Sequence, residues 1–191
     1  MSGAGFHVHG PHDHEVEHAA QHEPTGMAGQ IAVVTAVIAT IGALFAYEGG
    51  ATQAQAGLLK NDAAIKKTEA SNQWNYYQAK SSKQNLAELA LVLVTEDKKE
   101  QYKSEIERYK KEKGEIKAAA DKLEAEAKDW DAQSDAQMHL HHRWAQAMTA
   151  IQVAISLAAI TLLTRKRWLF WGAWGTAGAG ALVAVAALLH L

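Results

Sequence analysis

The sequence predicts an all-α protein: three transmembrane helices, with an extramembrane antiparallel coiled-coil helical hairpin between the first helix and the other two. Two observations predict this fold. Uncharged apolar stretches of span length occur at residues 28–47, 145–163 and 168–191. Residues 48–144, which separate the first two stretches, are rich in charge and keep a seven-residue period.

Averages over the whole chain conceal this division. A mean hydropathy of -0.21 and a formal net charge of -2 are ordinary values for a soluble protein. Residues 48–144, however, carry sixteen basic and seventeen acidic side chains. The two prolines, Pro11 and Pro24, both precede the first apolar stretch, so long uninterrupted helices are allowed after it. The chain has no cysteine, which excludes disulfides and thiol chemistry.

Each apolar stretch has the length and the flanking residues of a membrane span. Residues 28–47 contain no charge, and their length is close to what a helix needs to cross ~30 Å of hydrocarbon. A cleaved signal peptide is the alternative for this stretch, but the acidic residues before it lack the positive region that such peptides carry. Aromatic residues typical of the lipid–water interface flank the stretches at Tyr47, Trp144, Trp168 and Trp171.

The short loop at residues 164–167 is the main determinant of orientation. Its basic residues Arg165, Lys166 and Arg167 favour a cytoplasmic loop, because charge bias counts most in short loops beside spans. The N-terminus is then also cytoplasmic and the hairpin periplasmic. Three lysines after the first span favour the opposite orientation and carry less weight: Lys60, Lys66 and Lys67.

Small residues in the third stretch recur at four-residue intervals, a spacing that lets helices in a membrane pack closely. Apart from His190, the three stretches contain no ionisable side chain, so a pump or carrier is not indicated. The predicted packing positions are Gly172, Thr176 and Gly180, followed by Ala173, Ala177 and Ala181.

Residues 48–144 divide into two arms of nearly equal length, which we call the first arm (48–94) and the second arm (97–144). A turn near residues 95–97 returns the chain to the membrane, and each arm would be about 70 Å long at ~1.5 Å per residue. One very long helix would leave the second span far from the bilayer. A disordered linker is disfavoured by the apolar period.

The seven-residue period assigns candidate contact positions to each arm. We call the first-arm positions the first-arm series: Leu58, Ile65, Asn72, Ala79, Leu86 and Leu93, with Asn61, Thr68, Asn75, Ser82 and Leu89. The second-arm series comprises Tyr102, Tyr109, Ile116, Leu123 and Trp130, with Ile106, Lys113, Ala120, Ala127 and Ser134. Folding at residues 95–96 matches small or polar positions of one arm to large ones of the other.

Two segments resemble the bacterial domain-of-unknown-function family 4337. They are Ser71-Asn72-Gln73-Trp74-Asn75-Tyr76-Tyr77-Gln78-Ala79-Lys80-Ser81 and Leu163-Thr164-Arg165-Lys166-Arg167-Trp168. The order of the parts is similar over most of the chain. The resemblance implies a small bacterial membrane protein family without an assigned activity, and it carries over no catalytic residue. The expected location is the bacterial inner membrane, crossed several times.

In the frame of the first-arm series, Trp74, Tyr77 and Ser81 lie on the surface opposite the second arm. Exposed Trp and Tyr far from lipid predict a contact with another protein or another copy of this one. The alternative is a different frame, in which Trp74 belongs to the interface between the arms.

The N-terminal tail, residues 1–27, is acidic, carries six of the ten histidines and is expected to be flexible. His14, His18 and His22 would align on one face of a helix and share a divalent ion such as nickel, zinc or copper. His14-Glu15-Val16-Glu17-His18 matches the H-E-x-x-H protease pattern, but a short polar tail offers neither a cleft nor a third ligand.

The predicted function is a membrane-anchored coiled-coil scaffold or interaction protein that forms oligomers. Its expected partners are the lipid bilayer and either a second copy or another membrane-associated protein. Metal handling by the tail is the alternative. An enzyme is not expected, since no nucleophile–base pair or phosphate loop is present in the sequence. Nucleic acid is not an expected partner, because the arms mix both signs of charge.

Overall fold

The computed structural model describes residues 26–189, and this part of the chain is all-helical, as predicted. It contains α1 (Met27–Leu93), α2 (Glu96–Thr164) and α3 (Arg167–Leu188), and no strand occurs within it. These residues form two compact units. The first unit contains residues 26–53 and 138–189, and the second contains residues 54–137. α1 and α2 each contribute to both units.

α1 and α2 are connected through Val94 and Thr95. The carbonyl oxygen of Thr95 accepts a hydrogen bond from the N–H of Lys98 at 3.1 Å, and its hydroxyl donates to the carboxylate of Asp97. Glu96 and Asp97 place negative charge in the first turn of α2, where the helix dipole stabilises it. Local capping therefore starts the second helix after a connection of only two residues.

The connection between α2 and α3 is equally short. Arg165 adopts a φ of 53°, in the left-handed region that commonly ends a helix, and its N–H donates to the carbonyl of Thr161 at 2.8 Å. Lys166 is extended and precedes the first turn of α3. Both residues, and Arg167 after them, are exposed.

Small side chains dominate the packing of the first unit. Ile38 of α1 and Ile151 of α2 form one buried cluster with Ala154 and Ala177. A second buried cluster consists of Trp144, Ala147, Ala184 and Ala187. Each of the three helices contains a segment long and apolar enough to cross a membrane, by length and composition.

The second unit is an antiparallel pair of helical segments with a narrow, alanine-rich interface. The second-arm series lies at this interface, and five of its members are fully buried: Ile106, Ile116, Ala120, Ala127 and Ser134. The first arm contributes Ala56, Leu59, Ala63, Ala70, Gln84 and Ala87. None of these six belongs to the first-arm series, so the predicted frame of the first arm is wrong.

The error in that frame is two residues. Ala56, Ala63 and Ala70 precede Leu58, Ile65 and Asn72 by two positions each, and two residues turn a helix face by about 200°. Alanine lets the two backbones approach closely, so the larger side chains of the second arm fill the interface. The prediction followed the larger apolar residues of the first arm, which lie on the opposite face.

Candidate interaction surfaces

Ion pairs between the arms of the second unit all have the same polarity. In each of them the first arm supplies the cation and the second arm supplies the carboxylate. This arrangement favours the observed pairing of the arms, although exposed ion pairs add little stability individually. The closest pairs are Lys60 with Asp131 at 2.8 Å, Lys66 with Glu126 at 3.5 Å and Lys80 with Glu112 at 2.6 Å. Lys60 with Asp135 and Lys67 with Asp131 are each 3.9 Å apart.

These contacts shift the titration of the groups involved. The hydrogen bond from Lys80 lowers the pKa of the Glu112 carboxyl, and the same bond raises the pKa of Lys80. The hydrogen bond from Lys60 likewise lowers the pKa of Asp131. The Lys80 ammonium also lies 5.1 Å from the ring centroid of Tyr76 and 5.7 Å from that of Tyr109. Electrostatic contacts of this kind hold Lys80 at the interface between the arms.

Trp74, Tyr77 and Ser81 face the second arm, and the prediction that they point away from it is wrong. The indole N–H of Trp74 donates to Glu124 at 2.7 Å. The ammonium of Lys113 donates to the hydroxyl of Ser81 at 3.1 Å and lies 5.2 Å from the ring centroid of Tyr77. The three side chains are therefore part of the hairpin interface, as the alternative frame proposed for Trp74. A contact between their half-exposed edges and another protein stays a prediction.

The first-arm series forms an uncharged outer face on α1. All eleven of its side chains are exposed, and its large apolar members include Leu58 at 63%, Leu86 at 65% and Leu93 at 76% exposure. We call this surface the outer face of the first arm. It is the largest departure from sequence expectation, since these residues were predicted to be covered by the second arm.

The corresponding face of the second arm is different in character. Positions two residues beyond the second-arm series are also exposed, and five of these ten side chains are charged. An outward helix face in water normally carries such charges. The charged positions are Arg108, Lys111, Glu115, Lys122 and Asp129. An outward position in the hairpin therefore does not explain why the outer face of the first arm has no charged side chain.

In the first unit, the small residues of α3 pack against α2. A Cβ on Gly180 would lie 3.0 Å from the carbonyl oxygen of Ala147, and a Cβ on Gly172 would lie 3.7 Å from Leu157. Thr176 is half-buried, and its hydroxyl donates to the carbonyl of Gly172 at 3.0 Å. Gly180 therefore marks a close approach of two helices.

Two further packing positions were missed by sequence reasoning. A Cβ on Gly42 would lie only 2.8 Å from Cγ2 of Ile151, so α1 and α2 also approach closely there. Nδ1 of His141 lies 2.8 Å from the carbonyl oxygen of Gly49, where its N–H can donate. Gly42 does carry a periodic signal, because small residues recur every seven positions at Gly42, Gly49, Ala56, Ala63 and Ala70, but the prediction did not use it. The histidine carries no such signal.

The predicted metal site at His14, His18 and His22 lies outside the described residues. Within residues 26–189, no cluster of three histidine or carboxylate side chains has the arrangement of a metal site.

The described residues, 26–189, define a class: an all-helical protein with three helices that contain segments of membrane-spanning length and composition, two of which also form an antiparallel hairpin. Residues 27–190 match the family model described as Domain of unknown function (DUF4337), and the chain belongs to this family. No curated protein matches the chain, and no solved structure does.

Proposed function

We propose that this protein is a membrane-anchored coiled-coil scaffold whose hairpin holds a second copy of the chain, or another membrane-associated protein, outside the bilayer. The observation that carries the proposal is the continuity of α1 and α2. Each helix contains one apolar segment of span length and one arm of a hairpin with specific cross-arm contacts. A chain built in this way connects a lipid anchor to a helical hairpin in water.

The proposed location is a bacterial inner membrane crossed three times. The loop with Arg165, Lys166 and Arg167 is proposed to be cytoplasmic, together with the N-terminus, and the hairpin periplasmic. Exposed Trp168 and Trp171 beside this loop support an interfacial position. The proposal assigns no catalytic residue and needs no cofactor or nucleic acid.

Anchoring and orientation are tested with single cysteines, because the natural chain contains none. Membranes are washed at alkaline pH, and intact cells are then treated with a membrane-impermeant maleimide. We expect the protein to remain in the washed membranes. Lys110→Cys should react in intact cells, and Arg165→Cys should react only after lysis. Release of the protein by the wash would refute anchoring, and the reverse labelling pattern would refute the orientation.

Scaffolding is tested by lysine crosslinking in intact membranes, followed by mass spectrometry. Copies labelled with heavy and light nitrogen are mixed in one membrane, so that links within a chain differ in mass from links between chains. Links from the hairpin to a second copy or to one other membrane-associated protein are expected. A hairpin that forms links only within its own chain would contradict the proposal.

A further inference from the structure

The outer face of the first arm has the spacing of a coiled-coil contact but nothing within residues 26–189 covers it. Its eleven positions are separated alternately by three and four residues over five heptads. This spacing packs the side chains of one helix between those of another. Eight charged residues occur between residues 57 and 93, and all of them lie elsewhere on the helix. The second arm, at the same distance from the turn, distributes its charges over its outer face as well.

We infer that the outer face binds the same face of a second copy of this chain, in a parallel and in-register pair of first arms. This inference rests on the proposed function, because a common membrane supplies the alignment. Two copies inserted with the same orientation leave the bilayer at the same residue. Equivalent positions of their first arms then lie at equal distances from it, and an antiparallel pairing is excluded.

Residue type along the outer face matches this register. Leu58 and Ile65 near one end and Leu86, Leu89 and Leu93 near the other pair with their own equivalents, so apolar contacts form at both ends. In the middle, Asn72 meets Asn72 of the partner copy, and its amide supplies both a donor and an acceptor. A slip of one heptad places Asn72 opposite Ile65 or Ala79 and leaves both amides unpaired. Polar residues at such positions are known to fix register and copy number.

The charges beside the outer face are compatible with self-pairing. One edge consists of Gly57, Ala64, Ser71, Gln78, Asn85 and Val92, none of which is charged. The other edge carries Asp62, Glu69 and Lys83. In a parallel pair, the edge of one copy lies against the opposite edge of its partner. Each charge therefore meets an uncharged side chain, and no like charges are brought together.

Pairing would also remove apolar surface from water. The large apolar side chains of the outer face are exposed by 63% (Leu58), 47% (Ile65), 65% (Leu86), 58% (Leu89) and 76% (Leu93), and their burial would stabilise the pair. The two anchors also raise the effective concentration of one arm near the other. A second copy thus fits the spacing of the outer face, the register set by Asn72 and the charges at its edges.

The test uses four single-cysteine variants of the full-length protein in its membrane and a short bismaleimide crosslinker. Ile65→Cys and Leu86→Cys lie on the outer face. Ala125→Cys and Ser104→Cys lie on the exposed face of the second arm at the same levels of the hairpin, and they serve as matched controls. We expect a species of twice the monomer mass from the first two variants and monomer from the controls.

Three results would overturn the inference. Equal crosslinking of all four variants would indicate random collision, and no crosslinking at residues 65 and 86 would indicate an uncovered face. A product whose mass is not twice that of the monomer would identify a different partner. Failure of the proposed function is distinguishable from all three, because the alkaline wash and the labelling of Lys110→Cys and Arg165→Cys report on the anchor without reference to a second copy.

Discussion

Gly42→Ala adds one methyl group at the close approach of α1 and α2 and is predicted to destabilise the first unit. The new Cβ would lie 2.8 Å from Cγ2 of Ile151, a side chain that is only 2% exposed. Cγ2 is bonded directly to the branched Cβ, so it moves only if the rotamer or the helix moves. Overpacking costs about 1–3 kcal/mol. Alanine regains about 1 kcal/mol over glycine in a helix, which leaves a net loss of about 1 kcal/mol.

The matched controls are Gly175→Ala and Gly178→Ala in α3, where an added Cβ meets no atom within 4 Å. These variants should gain up to about 1 kcal/mol from helix propensity. A second control, Ile151→Leu, removes the methyl branch at Cβ and should restore the stability of Gly42→Ala. The assay is unfolding in mixed detergent and SDS micelles, followed by circular dichroism. If Gly42→Ala proves as stable as Gly175→Ala, the close approach argued from Ile151 is incorrect.

Three further predictions concern the hairpin and the tail. Trp74→Phe removes the hydrogen bond to Glu124 and should lower the free energy of unfolding by about 1 kcal/mol; a double-mutant cycle with Glu124→Ala measures the coupling, and additive effects would refute the contact. The lowered pKa values of Glu112 and Asp131 mean that their pairs contribute stability above the ordinary carboxyl range. The difference in melting temperature between this protein and one without Lys60 and Lys80 should therefore be constant from pH 7 to about 5 and shrink below about pH 4; a difference that does not change on acidification would contradict this. Metal handling predicts that the full-length protein binds nickel or zinc with micromolar affinity in titration calorimetry. A variant with alanine at His14, His18 and His22 should lose this binding. Equal binding by the variant would exclude this site.

The helical class and the three apolar segments could be predicted from the sequence, because hydrophobicity and the absence of proline after Pro24 are local properties. The contact face of the second arm, the second-arm series, could also be predicted. Ile106 and Ile116 are both apolar and buried, so its period and its packing agree.

The contact face of the first arm could not be predicted in the same way, because this arm has two periodic faces. One is rich in alanine, including Ala56, Ala63 and Ala70, and the other contains Leu58 and Ile65. Hydrophobicity favours the second face, whereas close packing of the arms selects the first. The choice depends on the distance between two helices, which no single-helix pattern contains. The positions of Trp74, Tyr77 and Ser81 followed from that choice, and their assignment to the outer surface failed with it.

Close approaches in the first unit have a related cause. Gly180 belongs to a four-residue repeat and was identified, whereas Gly42 belongs to a seven-residue series of small residues, continued by Gly49 and Ala56, that the prediction did not use. Its role depends on Ile151, which lies more than a hundred residues away in the chain. A pairwise contact of this kind is a property of the fold rather than of either segment.

The distance between residues 60 and 135 tests the hairpin most directly. In the structure, Nζ of Lys60 lies 3.9 Å from the carboxylate of Asp135, and both side chains are exposed. Spin labels on Lys60→Cys and Asp135→Cys, diluted with unlabelled protein, are measured by double electron–electron resonance in bilayers. Antiparallel arms predict a narrow distribution near ~10 Å between helix axes plus the length of the labels. A continuous helix would instead separate the two labels by about 110 Å, and any distribution centred far beyond the hairpin distance would contradict the account.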